Sequence, residues 1–538
     1  MSVKRWNGTS WDTYAGATNL SSTQIQWKYT SVGGETTLSG NDDNLLALSY
    51  TVGQEAVYVN GVLLVRGSDY TATSGSSVVL NVALTAGDTL QVISPVAYVI
   101  TNTPTLGSNT FTGDQTINSL RVGKGAGSIL TNTAFGNGAL TVNTTGNLNT
   151  AIGVNTLNLN TTGNSNVGVG SYVLANNTLG VANVGVGHGT LNLNTTGGNN
   201  TAVGYVALLN NTIGTGNVAL GSNALQSNTT GIQNVAVGGS ALLNNTIGNY
   251  SVAVGTNALL NNLSTGAVAV GQNALIANTT GGGNTAIGFQ AMVANTTGYQ
   301  NTAVGYDSLG SNTVGNNNTA IGYMAMYSNI NGSNNLAVGE AAMYSNTTGS
   351  NNLAIGPSSL YYNTIGSNNT AVGLNALNSN QTGSDNTAMG QGALQSNTTG
   401  VQNTAIGAYA LINNGIGVGN TAVGWQAMYY STTGVSNVAV GSRALFYNTI
   451  GQTNTAIGST TLWSNTTGNS NTAIGTSALY ANTTGYSNTA VGVNALSANT
   501  YGTGNVGIGQ QALYSNTTGN NSVAVGIYAL NNNTTGYA

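Results

Sequence analysis

Residues 471–487 read NTAIGTSALYANTTGYS, and residues 488–504 follow at once with NTAVGVNALSANTYGTG. The two phrases share one seventeen-residue skeleton, and that skeleton decides the fold. Take the glycine of each A-V/I-G triplet as position 0. It falls at 136, 153, 170, 187, 204, 221, 238 and 255, then at 271, 288 and every seventeen residues to 526. That makes 24 copies. Only the step from 255 to 271 is sixteen residues, where NLSTGAVAVG replaces the usual NTTGxxNTAVG.

Each column of the repeat has its own chemistry. Position −1 is apolar in every copy, nearly always Val or Ile, and position +4 is Leu, or Met at Met292, Met326, Met343 and Met428. Position +10 is Gly in all but the short copy, and positions −4 and +7 are almost always Asn. Side chains alternate along a strand, so −3 and −1 share one face. They are expected to face the core, with the +4 Leu as the opposite wall. One copy then buries only about three apolar side chains, too few to fold alone, so copies must stack. The Gly and β-branched content argues against helix. The expected architecture is all-β: a parallel β-solenoid with one coil per copy, 24 coils at ~4.8 Å giving a rod of about 115 Å.

The Asn columns are expected to hydrogen-bond from coil to coil, as amide ladders do in stacked sheets, and to suit tight left-handed turns. The NTT triplets also match the glycosylation sequon, but a turn ladder explains them without it. Ala at −2 and Gly at 0 are expected to form a flat outward face against which sister chains pack, giving a homotrimer about a long axis; the alternative is that they only meet the demands of a narrow coil.

Composition excludes several functions. Only 3% of residues are charged, against roughly 25% in ordinary soluble chains. The net charge of −4 and the lack of a basic cluster argue against nucleic acid. With Cys 0, disulfides and thiolate metal sites are ruled out. The N-terminus MSVKRWNGTSWDTYAG has no apolar run after Lys4 and Arg5, so no secretory signal is read there. No stretch approaches the ~20 apolar residues of a membrane helix.

Charge divides the chain near residue 125. Beyond it only Asp307, Glu340, Asp385, Arg443 and the sole histidine, His188, can carry charge. The expected organisation is an attachment segment at 1–30, a small antiparallel β domain at 31–100, a polar junction at 101–130 and the repeat array at 131–538. In the small domain, EAVYVNGVLLV reads as a hairpin turning at Asn60-Gly61, the pair that best tolerates a type I′ turn. SSVVLNVAL and DTLQVISPVAYVI supply further strands.

No catalytic, cofactor or metal site is expected. Asp307 and Glu340 lie two coils apart in different columns, unlike the paired carboxylates of a glycosidase. His188 has no acidic neighbour, and calcium β-rolls need Asp in every turn. The informative letters are the variable ones. Position +5 becomes aromatic in the distal half at Tyr327, Tyr344 and Tyr361, then Tyr429, Phe446, Trp463 and Tyr480, with Tyr514 beyond; Tyr362, Trp425, Tyr430 and Tyr447 lie close by in sequence. Rings one coil apart would stack. Tyr327, Tyr344, Tyr361, Trp425, Tyr429, Phe446, Trp463, Tyr480 and Tyr514 are therefore candidate receptor contacts, because aromatic faces suit sugar rings. The alternative is that they stiffen the rod or pack between subunits.

Two family resemblances follow from these motifs. N-T-A-V/I-G-x-x-A-L resembles the repeats in the β-roll heads of trimeric autotransporter adhesins, over most of 131–538, but without their signal peptide, coiled-coil stalk or membrane anchor. VKRWNGTSWDTYAG, EAVYVNGVLLVRGSDYTATSGSSVVLNVALTAGDTLQVIS and NTFTGDQTIN resemble the N-terminal modules of bacteriophage tail fibres, notably those of cyanobacterial phages, and VGKGAGSILTNTAFGNGAL is similar to the lead-in to fibre repeats. The second resemblance implies a trimeric virion protein assembled in the host cytoplasm. It would dock on tail or baseplate proteins at its N-terminus and face a host glycan or protein receptor with its distal half. A separate tip protein is then a candidate partner, since an open solenoid end exposes strand edges and Tyr528 to Ala538 are expected to be covered by a partner or by trimer closure. A bacterial surface adhesin is the alternative, and an ice-binding solenoid, suggested by the Thr columns, is a third reading.

Overall fold

The computed structural model describes residues 4–6, 11–13, 24–50, 52–95 and 113–536. It divides into two units, 1–110 and 111–538.

The first unit holds two antiparallel sheets. The larger runs in the order Gln24–Thr30, Thr89–Pro95, Ala56–Val59, Val62–Leu63, and the smaller in the order Thr37–Ser39, Ser77–Leu80, Tyr70–Thr71. Side chains from both sheets, among them Trp27, Val57, Leu90, Leu38 and Val78, form one core. The Asn60-Gly61 turn has φ 49° and 79°, as the type I′ hairpin requires. The strand Gln24–Thr30 pairs along its length with Thr89–Pro95, so this domain begins before the boundary at 31. Of the attachment segment, Lys4–Trp6 pairs with Trp11–Thr13; the rest up to residue 23 lies outside the described residues.

The second unit is the β-solenoid. Twenty-four three-residue strands, from Thr133–Phe135 to Val523–Val525, pair in parallel, each with the same position of the next coil. Residues 115–123, read from sequence as junction, belong to this sheet. The hairpin Gln115–Ile117 and Leu120–Gly123 lays its second strand antiparallel on the first coil and covers that edge.

The facing of the strands reverses the sequence expectation. The side chains alternate as expected, but the inward residue is the Ala at −2. In Thr472–Ile474, Ala473 is fully buried while Ile474 is 38% exposed. The interior is Ala473, Ala478 and Leu479 with the amides of Asn471 and Asn482, all fully buried. The reason is room. A coil with one short strand and tight turns accepts only a methyl from the strand side. At Thr156 and Val173, where position +3 is larger, the facing residues of the next coil are Gly168 and Gly185, whose added Cβ would press on those side chains. The Ala of the expected flat Ala/Gly outer face is therefore inside, and its Gly is half-buried in most coils. The outer face is the Thr or Val at −3 and the Val or Ile at −1.

The turns explain two further columns. The +4 residue sits at positive φ, 50° at Leu479. That conformation is least costly for residues not branched at Cβ, so the column holds only Leu and Met. Gly475 has φ 125°, and a Cβ there would collide with the backbone of Gly492 one coil on.

The Asn columns form two buried ladders. Asn471 takes its own backbone N–H and its Nδ2 to Asn454 Oδ1 at 3.0 and 3.1 Å. Asn482 Nδ2 donates to Asn465 Oδ1 at 2.8 Å. Both amides also donate to the Gly485 carbonyl, at 2.8 and 3.0 Å. Burying an amide costs free energy unless it is satisfied; here the satisfying groups recur at nearly every coil. The short copy shows where variation is absorbed. The sheet continues with Val252 opposite Val268, while in the turn Asn262 Nδ2 finds the Ser264 carbonyl at 3.0 Å.

Candidate functional site

The aromatic columns stack as the repeat predicts. Tyr327, Tyr344 and Tyr361 form one ladder, with ring centroids 5.3 and 5.1 Å apart. Tyr429, Phe446, Trp463 and Tyr480 form a second, at 5.3, 5.8 and 5.2 Å. Three coils carrying Asn378, Gln395 and Ile412 at +5 separate them. Tyr514 has no ring neighbour in either ladder, because Ser497 interrupts the column.

The rings at +6 join the +5 ladders edge-on. Tyr361 meets Tyr362 at 4.6 Å, Tyr429 meets Tyr430 at 4.8 Å and Phe446 meets Tyr447 at 4.8 Å. Tyr430 and Tyr447 stack on each other at 5.1 Å. Tyr429, Tyr430, Phe446, Tyr447, Trp463 and Tyr480 thus form a continuous two-column block. Offset stacks and edge-to-face pairs are the favoured ring geometries, and the block still leaves Tyr430 and Tyr447 exposed.

Trp425 belongs to a different column, +1. Arg443, at +2 of the following coil, lies over its ring at 4.4 Å and reaches the Phe446 ring at 5.7 Å. Arg443 Nε donates to Gln426 Oε1 at 3.0 Å.

Two ring stacks escaped the sequence reading. Phe289, Tyr306 and Tyr323 stack at 5.4 Å each, and His188 stacks on Tyr205 at 5.4 Å. Both lie at +1, and their seventeen-residue spacing was the available signal.

The array carboxylates stand apart from one another. Burial raises the pKa of Asp307, and Asp385 accepts a hydrogen bond from Asn368 Nδ2 at 3.1 Å. Among the described residues no three His, Cys, Asp or Glu side chains converge on a metal-sized site. Among the described residues no helix is long and apolar enough to cross a membrane. No family model, curated protein or solved structure matches the chain.

Proposed function

We propose that this chain is the shaft of a trimeric phage tail fibre, docked on the tail by its N-terminal region, with its distal aromatic block turned to a glycan on the host surface. The observation that carries the reading is the outer strand face. At −1, Ile152, Ile321 and Ile474 are 37%, 40% and 38% exposed, and no Val or Ile of this column is buried anywhere along the array. Monomers tolerate isolated apolar patches, not continuous stripes. A stripe that repeats at every strand is matched best by a surface of the same period, and another copy of this chain has that period. Three copies closing around an axis would cover it.

Two measurements test this. Mass spectrometry of purified virions should find the peptide; finding it only on bacterial surfaces would favour the adhesin reading. Light scattering should give a trimer, and Ile321→Lys with Ile355→Lys should dissociate it without loss of strand content. A wild-type monomer would overturn the assembly. The outward Thr column at −3 supports ice binding as a second reading, which thermal hysteresis would detect.

A further inference from the structure

The distal aromatic block contains one cation, and its setting is unlike that of any other charge in the array. Arg443 is the only Lys or Arg between residues 125 and 538. Among the described residues the ion pairs are Arg66 with Glu55 and Arg121 with Asp114, so Arg443 has no carboxylate. The nearest acidic residue in sequence, Asp385, lies more than three coils back. The guanidinium is nevertheless held in place. Trp425 lies beneath it, Phe446 stands beside it, and Nε is bonded to Gln426. No protein acceptor engages its two terminal nitrogens among the described residues. A planar guanidinium fixed by stacking and by Nε presents its free edge as a fork for two oxygens.

The rings extend that fork into a surface. Phe446 contacts Tyr447 at 4.8 Å and Tyr430 at 5.3 Å. Trp425, Tyr430 and Tyr447 are 45%, 41% and 38% exposed. Arg443 therefore borders a cluster of partly exposed aromatic rings. Apolar faces beside an unpaired cation suit a molecule with an apolar ring face and an anionic substituent.

We infer that Trp425, Arg443, Tyr430 and Tyr447 form a binding site for an anionic saccharide, whose carboxylate or sulfate bridges the Arg443 fork while neighbouring sugar rings lie on the tyrosines. This rests on the glycan-contact reading above and sharpens it: the block selects acidic over neutral sugars. A lone cation among uncharged neighbours supplies that selectivity, since removing it leaves the rings without a partner for the anion.

The test is binding of the full chain to polygalacturonate, dextran sulfate and neutral dextran, by calorimetry. The wild type should bind one or both acidic polymers and not dextran, with affinity falling as salt rises. Arg443→Gln should weaken binding roughly ten- to hundredfold. It should fold normally, because Gln290, Gln426 and Gln511 occupy the same column at φ 56°, 55° and 57°, against 56° at Arg443. Arg443→Lys should recover only part of the affinity, because a point charge lacks the fork. Preference for polygalacturonate or for dextran sulfate identifies the carboxylate or the sulfate as the ligand group. Tyr306→Ala, in the separate +1 stack, should change nothing. Unchanged binding of Arg443→Gln to the acidic polymers would overturn the inference. Equal binding to dextran, lost in Tyr430→Ala, would overturn it while sparing the glycan-contact reading. Binding to none of the three polymers would count against both.

Discussion

The small β domain and the solenoid solve the same problem with opposite materials. The domain packs large, individually distinct side chains such as Trp27, Tyr50 and Leu90 around one centre. Its carboxylates are held in turns: Glu35 accepts hydrogen bonds from Ser31 Oγ and from the Val32 and Gly33 N–H groups at 2.5, 3.0 and 3.0 Å. The solenoid packs Ala and Leu, the same few in each coil, and sets the coils in register with buried neutral amides. The comparison teaches where specificity comes from. In the domain it is the shape of each residue. In the array shape hardly varies, and the directional Asn ladders and the glycine contacts fix how one coil sits on the next.

The largest expected difference lies at glycine. Gly322→Val would drive a side chain into the Gly339 backbone at φ 136° and should cost more than about 4 kcal/mol. It should open the rod locally, seen as a new proteolytic site between adjacent coils. Gly61→Ala in the domain, where a Cβ meets nothing within 4 Å, should cost only about 1 kcal/mol. Equal effects would break the comparison.

Removing one rung comes next. Asn312→Ala leaves Asn295 Oδ1 without its donor and takes an acceptor from Asn329 Nδ2. The loss should be roughly 2–3 kcal/mol, read as faster hydrogen exchange in the two flanking coils. The converse is already present in the chain. Ser431 occupies an Asn position of the same ladder, and both Ser431 Oγ and Asn414 Oδ1 are buried without partners. Ser431→Asn should restore the rung and stabilise the array by about 1 kcal/mol, measured as a higher melting temperature.

The smallest contrast is in pH. The Ser31 hydroxyl and neighbouring N–H groups hold Glu35 down at about 2. Its contribution is complete above the usual carboxylate range near 4.5 and is lost as pH falls toward 2. Asp307 is shifted upward by burial, so it favours the folded array in acid and loses that contribution as pH rises through its raised value. Fluorescence of buried Trp27 should therefore report domain unfolding in acid while strand circular dichroism of the array persists. Asp307→Asn should flatten the small pH response of the array. Simultaneous loss of both signals would contradict the separation.

Much of this was legible in the sequence, and the misreading is instructive. The seventeen-residue period, the parallel stacking and the two Asn ladders follow from the spacing, because stacked copies must present like to like. Which strand face turns inward does not follow from hydrophobicity. Ile474 is more apolar than Ala473, yet Ala473 is inside because the strand side of the coil leaves room for little more than a methyl group. Spacing also found the Tyr327 and Tyr429 ladders. The Phe289 stack has the same spacing, but a reading confined to the +5 column passed it over. The pairing of Arg443 with Trp425 was less accessible. It joins position +2 of one coil to position +1 of the preceding one, a diagonal that column-by-column reading does not inspect.

The shared register of every coil has a consequence for heredity. Each junction pairs the strands in the same register, and even the shortened copy at 255–271 leaves the sheet in step. Near-identical repeats in a gene invite unequal recombination, and here such an exchange would add or delete whole coils without disturbing the segments on either side. Rod length becomes a trait that can change in increments of about 4.8 Å, one strand at a time, while the few aromatic and charged letters travel as cassettes to new heights along the shaft.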